Sequence, residues 1–264
     1  MTMDFAYWKK QAPGTTLFPD IEWNKPEQRS HAGKLAIVGG NKLGFVAVGD
    51  AYAVASDAGV GQIRVLLPNV LKKSVPPIIT DAVFAPDNPS GGLARDAAAD
   101  MHALSAWADA VLLVGDAGRN SETAIVYEDF IKDYGGLLTI TRDAVDLLMN
   151  TPESMVERDK TLLVVSFAQL QKLFMKLYYP KMLTFSMQLQ QLVETIHKFT
   201  VTYPVTIVTY HQEHIVIAHD GQVVTALWDN PMAIWKGRVA TQAAVYWLWN
   251  PGKPLEATAT SLSQ

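Results

Sequence analysis

Leu35-Ala-Ile-Val-Gly-Gly-Asn-Lys-Leu-Gly44 carries the strongest architectural signal in this chain. Its first four residues form a continuous apolar run, which is typical of a buried strand, and a glycine-rich turn follows directly. Residues 46–58 then place small and apolar residues at helical spacing. A strand, a glycine turn and a helix in this order predict one unit of a parallel α/β sheet.

The same alternation continues along the chain. Further strands are predicted at 63–67, 110–114, 137–140 and 161–165, and helices at 92–108, 121–134, 168–178 and 185–199. Continuous apolar strands indicate a sheet that is covered on both faces. Strands at 205–208, 214–218 and 223–227 lie close together, and Asp220-Gly221 predicts a hairpin between the last two. We therefore expect a three-layer α/β fold, with a mostly parallel sheet, an antiparallel edge, and a final helix at 232–249.

Composition excludes several classes of protein. The 264 residues include 22 Lys and Arg, 26 Asp and Glu, and no cysteine, which gives a net charge of −4. Without cysteine there is no disulfide, thiolate metal site or thiol nucleophile. The mild acidity and the absence of a basic block argue against a nucleic-acid partner. No stretch is long and apolar enough to span a membrane, and the N-terminus lacks the apolar core of a signal peptide. These features predict a cytoplasmic protein with no membrane partner.

The chain is expected to form one domain. Residues 1–32 contain Pro13, Pro19 and Pro26 and are predicted to be an irregular N-terminal extension, followed by a single α/β domain at 33–264. The apolar surface and clustered tryptophans predict a homo-oligomer. Trp235 and Trp249 are fourteen residues apart and are expected to share one buried stripe of the final helix.

Two glycine-rich loops are candidates for ligand binding. The loop at 39–44 and the stretch Gly115-Asp-Ala-Gly118 each follow a strand, and ligands of open α/β sheets collect at the carboxyl ends of strands. Backbone N–H groups at such a loop and helix N-terminus can bind an anion. The same glycines would also serve tight turns between strands and helices. The sequence leaves both interpretations open.

Two polar clusters favour a structural interpretation. His211-Gln-Glu213-His214 superficially resembles a metal motif, but on a strand His214 faces away from the other two, so a polar hairpin is favoured and no metal site is predicted. Asp143 and Asp146 are expected to cap a helix N-terminus, where acidic residues are common.

With these loops placed, the chain resembles the NAD(P)H-hydrate dehydratase family, whose ribokinase-like (carbohydrate-kinase-like) domain repairs hydrated nicotinamide cofactors. The resemblance covers about residues 33–262. It lies in Ile37-Val-Gly-Gly40, Ala47, Ala51, Ala55, Gly59-Val-Gly61, residues 109–115, Gly118-Arg119, Glu122-Thr123, residues 141–148 and Asp229-Asn-Pro231. It implies a ribokinase-like fold and a homo-oligomer. It also implies that Gly40, Asn41, Ala47 and Gly118 match positions of the family's hydrate-binding cleft, where backbone N–H groups contact the ligand.

The departures from the family pattern concern its chemistry. The family's Pro-His-Pro-Gly-Glu stands here as Val165-Ser-Phe-Ala-Gln169, and its Lys-Gly at the nucleotide phosphates as Thr209-Tyr210. Its Gly-Ser-Gly-Asp anion loop becomes Gly237-Arg-Val-Ala240, so Ala240 stands where the family has its catalytic aspartate. Lys236 and Arg238 could hold an anion by charge, but a carboxylate is needed to accept the proton.

The resemblance therefore predicts the fold better than the activity. The favoured hypothesis is a divergent, dehydratase-like pseudoenzyme that retains at most nucleotide or nicotinamide-nucleotide binding. One alternative is an active ADP/ATP-dependent dehydratase with a replaced acid, for which Asp229 and Glu213 are the nearest acids in sequence. A small-molecule kinase of the ribokinase superfamily is the other. No resident cofactor is expected with certainty, and ATP or ADP with Mg²⁺ would take part only if nucleotide binding survives.

Overall fold

The computed structural model describes residues 5–263, so residues 1–4 of the expected extension and Gln264 lie outside the described part. Ten strands form one sheet in the order β1-β10-β9-β8-β7-β6-β5-β2-β3-β4. The strands are β1 (Trp8–Gln11), β2 (Lys34–Gly39), β3 (Gln62–Pro68), β4 (Ala82–Ala85), β5 (Ala110–Gly115), β6 (Leu137–Thr141), β7 (Thr161–Val164), β8 (Thr206–His211), β9 (His214–His219) and β10 (Gln222–Leu227). β9 is antiparallel to β8 and β10, and the other pairings are parallel. The expected mostly parallel sheet is confirmed.

Helices cover both faces of this sheet. They are α1 (Pro19–Trp23), α2 (Val46–Ala58), α3 (Ala98–Trp107), α4 (Ser121–Asp133), α5 (Asp143–Leu147), α6 (Glu153–Val156), α7 (Phe167–Lys176), α8 (Leu189–Thr202), α9 (Pro231–Trp235), α10 (Arg238–Trp249) and α11 (Pro254–Ser261). α3, α4, α7 and α8 pack in one apolar core, and α2, α10 and α11 in the other. Successive residues of β2 alternate between the two cores, with Ala36 and Val38 in one and Leu35 and Ile37 in the other. This alternation explains why the strand has no polar face.

The N-terminal extension is not irregular throughout. β1 pairs in parallel with β10, and the Trp8 indole Nε1 donates to Thr225 Oγ1 at 2.8 Å. Ile21 of α1 is only 1% exposed. The residues predicted as an irregular lead-in thus supply the edge strand of the sheet and part of one core.

The predicted final helix is interrupted. α9 ends at Trp235 and α10 begins at Arg238, because Gly237 takes a left-handed conformation with φ of +81°. Trp235 is 60% exposed, while the Trp249 indole Nε1 donates to the Ala32 carbonyl. The expected shared stripe of these two tryptophans is therefore wrong. No helix within residues 5–263 is long and apolar enough to cross a membrane.

Candidate functional site

The loops that follow β2, β5 and β6 meet at one edge of the sheet. β2 lies between β3 and β5, so the order of the strands reverses here, which is where open α/β sheets form their ligand crevice. A cavity of about 670 Å³ opens at this position. It is lined by Asn41, Leu43, Gly44, Val46, Ala47, Asp50, Asp116, Gly118, Arg142, Asp143 and Lys236. We call it the loop cavity.

Close approach of two backbones explains the first glycines. A Cβ atom on Gly39 would lie 2.2 Å from the Gly115 carbonyl oxygen, which no side chain could tolerate. The Gly40 N–H donates to that same carbonyl at 2.9 Å, and Gly40 has φ of +81°. Gly39 at the end of β2, together with Gly40 after it, therefore lets the two strand ends touch. This is the structural role that the sequence left open.

An internal carboxylate occupies the N-terminus of α2. Asp116 Oδ2 accepts a hydrogen bond from the Ala47 N–H at 2.7 Å, and the Asn41 side-chain amide donates to the Asp116 carbonyl at 2.6 Å. Backbone N–H groups at a helix start attract negative charge. The chain thus places its own anion where an anionic ligand was expected. Asp116 was not among the residues predicted for the site, although it stands directly after a strand-ending glycine.

The predicted ligand positions are distributed around this arrangement. Asn41, Ala47 and Gly118 line the loop cavity, whereas Gly40 does not. The N–H of Gly118 donates to Asp143 at 3.1 Å, so a ligand would compete for that donor with a carboxylate of the chain. Their role in binding stays a prediction.

Asp143 fastens the loop that follows β5. Its two carboxylate oxygens accept hydrogen bonds from the backbone N–H groups of Asp116, at 2.7 Å, and Gly118, at 3.1 Å. Burial raises the pKa of Asp143 above its ordinary value of 3.8, and these two amides partly oppose that rise. Asp146 instead accepts from Gln169 and pairs with Lys172 at 3.2 Å. Both acids lie in the first turn of α5, as expected of acidic residues at a helix N-terminus, but Arg142 is the N-cap residue and it makes no side-chain capping hydrogen bond.

Arg142 joins three segments of the site. Its Nη2 lies 2.5 Å from Asp116 Oδ1, and its Nη1 donates to the Trp235 carbonyl at the end of α9. Arg142 has φ of +57° and ψ of −139°, a conformation that L-residues rarely adopt. Such a backbone costs about 1–3 kcal/mol and is kept where surrounding contacts impose it.

The start of α10 is closed by apolar side chains. Ala240 and Val239 are each 0% exposed, and Gly237 packs beside Val114 and Arg142. Ala240 therefore belongs to the core and presents no titratable group to the cavity. Of the two predicted anion contacts, Lys236 lines the loop cavity, while Arg238 is exposed and lies outside its lining.

Two further cavities bear on the predicted site residues, and one of them adjoins the loop cavity. One of about 550 Å³ is lined by Thr141, Asp146, Ser166, Gln169, Lys172 and Trp235 among others, and it shares Arg142 and Asp143 with the loop cavity. We call it the α7 cavity. The other, of about 910 Å³, is lined by Gln11, Tyr210, Glu213, Trp228 and Asp229 among others. We call it the hairpin cavity. The candidate replacement acids Asp229 and Glu213 line the hairpin cavity rather than the loop cavity.

The histidine cluster is a turn between two strands. Gln212 and Glu213 have φ of +45° and +63° and join β8 to β9. His211 is buried, with its Nε2 2.7 Å from the Met187 carbonyl oxygen, and its ring stacks on Phe167. Within residues 5–263, no three His, Cys, Asp or Glu side chains are grouped to hold a metal ion.

Comparison with known proteins identifies the fold. No protein-family model matches this chain, and no curated protein sequence matches it. Among solved structures, a ribokinase-like superfamily protein from Enterococcus faecalis matches with a TM-score of 0.72 and 14% identity over 100% of this chain and 88% of that chain. A hypothetical protein from Streptococcus mutans matches with a TM-score of 0.70 and 14% identity, covering 92% of this chain and 84% of that one.

An enzyme structure is also similar. The ADP/ATP-dependent NAD(P)H-hydrate dehydratase from Bacillus subtilis, co-crystallised with ATP and Mg²⁺, has a TM-score of 0.57 and 13% identity over 94% of this chain and 86% of that chain. Identities this low establish shared architecture and leave the activity open. The chain has the ribokinase-like fold.

Proposed function

We propose that this protein binds a nicotinamide nucleotide in the loop cavity and does not catalyse nucleotide-dependent dehydration. The observation that carries the proposed lack of catalysis is the fully buried Ala240 in the first turn of α10. An alanine there can neither accept nor donate a proton, and general acid–base catalysis contributes about 10²–10⁴-fold to a rate.

Two of the three carboxylates that line the cavity already have partners, and the third is Asp50 on α2. Asp116 pairs with Arg142 and accepts from Ala47 N–H, and Asp143 accepts from two backbone amides. These contacts make Asp116 and Asp143 part of the structure that holds the loops together. This supports the pseudoenzyme over an enzyme with a replaced acid.

The hairpin cavity is poorly suited to nucleotide phosphates. Its charged lining residues are Glu213 and Asp229, and both are acidic. Phosphoryl transfer on any fold depends on cations and backbone donors around the transferred group. Within residues 5–263 its lining holds no lysine or arginine that could bind a triphosphate, whereas Arg142 and Lys236 line the loop cavity, and this weighs against the kinase and the active dehydratase.

The loop cavity retains the features of a small-molecule site. Its volume of about 670 Å³ lies within the roughly 300–1,000 Å³ that such sites occupy. Lys236 supplies positive charge in a lining that also holds the carboxylate of Asp50, while Leu43 and Val46 are 88% and 72% exposed and offer apolar surface. A lysine beside apolar surface suits a ligand with an anionic group and a planar ring.

Thermal-shift titration with NADH, NADPH, ATP, ADP and AMP tests the binding. We expect the melting temperature to rise with the nicotinamide nucleotides and to stay unchanged with the adenine nucleotides alone. The companion assay follows the absorbance of reduced nicotinamide as hydrated NADH is incubated with protein, Mg²⁺ and ATP or ADP. We expect background rates. A rate that needs nucleotide and is proportional to protein concentration would show that the protein is an enzyme.

A further inference from the structure

One side chain divides the ligand cleft of this protein. The loop cavity and the α7 cavity adjoin, and both are lined by Arg142 and Asp143. Arg142 leaves the end of β6 and reaches Asp116 on one side and the Trp235 carbonyl on the other. The guanidinium therefore stands between the two cavities.

Two side-chain contacts and an uncommon backbone conformation fix the position of Arg142. Nη2 is paired with Asp116, Nη1 with the Trp235 carbonyl, and the backbone has a positive φ of +57°. The carboxylate that it pairs with is itself bound to the Ala47 N–H. Swinging Arg142 aside would leave Asp116 Oδ1 without its partner in a partly buried place. Such a displacement is costly because hydrogen bonds to charged groups are among the stronger ones.

We propose that Arg142 determines specificity by confining the ligand to the loop cavity, so that the site binds a nicotinamide mononucleotide more tightly than the dinucleotide. This inference rests on the proposed function. The charge of Arg142 is matched by Asp116, so Lys236 is the lining cation that would face one phosphate group, with the carboxylate of Asp50 also in the lining. The exposed apolar surface of Leu43 and Val46 would contact the ring. A second nucleotide that extended toward the α7 cavity would have to pass the guanidinium.

The test compares the wild-type protein, Arg142→Ala and Arg95→Ala. Arg95 is exposed and lies outside the linings of the loop and α7 cavities, so its variant controls for the loss of one positive charge. Isothermal titration measures Kd for reduced nicotinamide mononucleotide and for NADH. We expect the wild type and Arg95→Ala to prefer the mononucleotide by at least about tenfold, since 1.4 kcal/mol corresponds to one decade. Arg142→Ala should lose that preference. A wild type without the preference, or an Arg142→Ala variant that keeps it, overturns the proposal.

Amide hydrogen exchange gives a readout that needs no ligand. Arg142→Ala should speed exchange at residues 41–49 and 232–240, because Asp116 and the Trp235 carbonyl lose their shared partner, while exchange in β5 and β6 stays slow. Unchanged exchange in both segments would mean that Arg142 does not hold Asp116 and the end of α9 in place. The proposal that Arg142 divides the cleft would then be wrong, whichever ligand binds. If neither nicotinamide ligand binds any variant while exchange responds as expected, the proposed function and the mononucleotide assignment are both wrong, and only the division by Arg142 stands.

Discussion

Asp116 and Arg142 both have positive φ, of +54° and +57°, although neither is glycine. Each such backbone costs about 1–3 kcal/mol. The two residues meet through an ion pair of 2.5 Å, with exposed side-chain fractions of 26% for Arg142 and 20% for Asp116. A pair this shielded is screened less by solvent than a surface ion pair. Two strained residues that contact each other in the cleft indicate that this geometry is maintained for the site.

Replacing Asp143 by asparagine tests how the loop after β5 is held. Asparagine can accept from one of the two backbone N–H groups that Asp143 now binds, and its NH₂ group then faces the other donor. We expect Asp143→Asn to lower the free energy of unfolding by about 1–3 kcal/mol, the cost of an unsatisfied buried donor. Urea denaturation at pH 7 measures it. A variant as stable as the wild type would show that these two hydrogen bonds do not hold the loop.

The pH dependence of that difference has a definite sign. Burial raises the pKa of Asp143 in the folded protein, so the native state binds its proton more readily than the unfolded chain does. The wild type therefore gains stability relative to Asp143→Asn as the pH falls from 7 through the folded pKa towards the ordinary value of 3.8. We expect the stability difference to widen over that range in paired denaturation curves. A difference that narrows on acidification would contradict a raised pKa.

The residues that could be predicted from sequence are those with a local signal. Gly39 and Gly40 follow an apolar run, and the position of this loop at a strand end is visible in the sequence alone. The pairing of Asp116 with Arg142 spans 26 residues and depends on β5 and β6 being neighbours in the sheet. No spacing rule along the chain encodes such a contact. The two hydrogen bonds that Asp143 accepts could not be predicted for the same reason, since their donors, the N–H groups of Asp116 and Gly118, belong to another loop.

At the level of helices and strands, the start of α10 decides what chemistry is available. Ala240→Asp would introduce the residue type that the resembled dehydratase family has at this place in its pattern, but in a position that is 0% exposed. Burying a charge without a partner is costly, and the dipole of α10 offsets only part of it. We expect a loss of about 2–4 kcal/mol in the free energy of unfolding and no turnover of hydrated NADH. Ala240→Asn is the matched neutral control, and its free energy of unfolding should depend less on pH than that of Ala240→Asp. Turnover by Ala240→Asp would show that this single change suffices for catalysis.

The strands differ in how clearly the sequence predicts them. β2, β5 and β6 are buried on both faces, and their continuous apolar runs predicted them correctly. β1 is only Trp8-Lys-Lys-Gln11, with two exposed lysines, and its sequence alone indicates a polar segment that precedes the domain. Lysine on an edge strand is a common means of preventing edge-to-edge association, so the residues that suit this position also conceal it.

Two tryptophans of the N-terminal segment test whether β1 belongs to the fold. Trp8 is partly buried and donates to Thr225 on β10, whereas Trp23 is 87% exposed. We expect Trp8→Ala to lower the free energy of unfolding by about 1–3 kcal/mol through lost packing and a lost hydrogen bond. Trp23→Ala should change it by less than about 0.5 kcal/mol. Equal effects of the two substitutions in urea denaturation would mean that β1 contributes nothing specific.

At the scale of the whole molecule, the cavities and the largest stretch of exposed apolar side chains occupy different parts of the surface. Two apolar cores lie on opposite faces of the sheet and leave the strand ends free to form cavities. One stretch of exposed apolar side chains begins in the last turn of α7 and continues after it, outside the linings of the three cavities described above. It comprises Met175, Tyr178, Met182 and Phe185, which are 64%, 92%, 75% and 66% exposed.

We predict that the expected homo-oligomer forms through this stretch. Contacts between chains are one use of exposed apolar clusters. We expect light scattering at micromolar concentration to report a mass at least twice the 29.0 kDa of one chain. The double substitution Tyr178→Glu with Met182→Glu should lower that mass, since two buried charges would oppose association. Ile78→Glu, at a residue 70% exposed and outside this stretch, should leave it unchanged. A wild-type mass of one chain would refute the oligomer, and a dissociated Ile78→Glu variant would move the interface elsewhere.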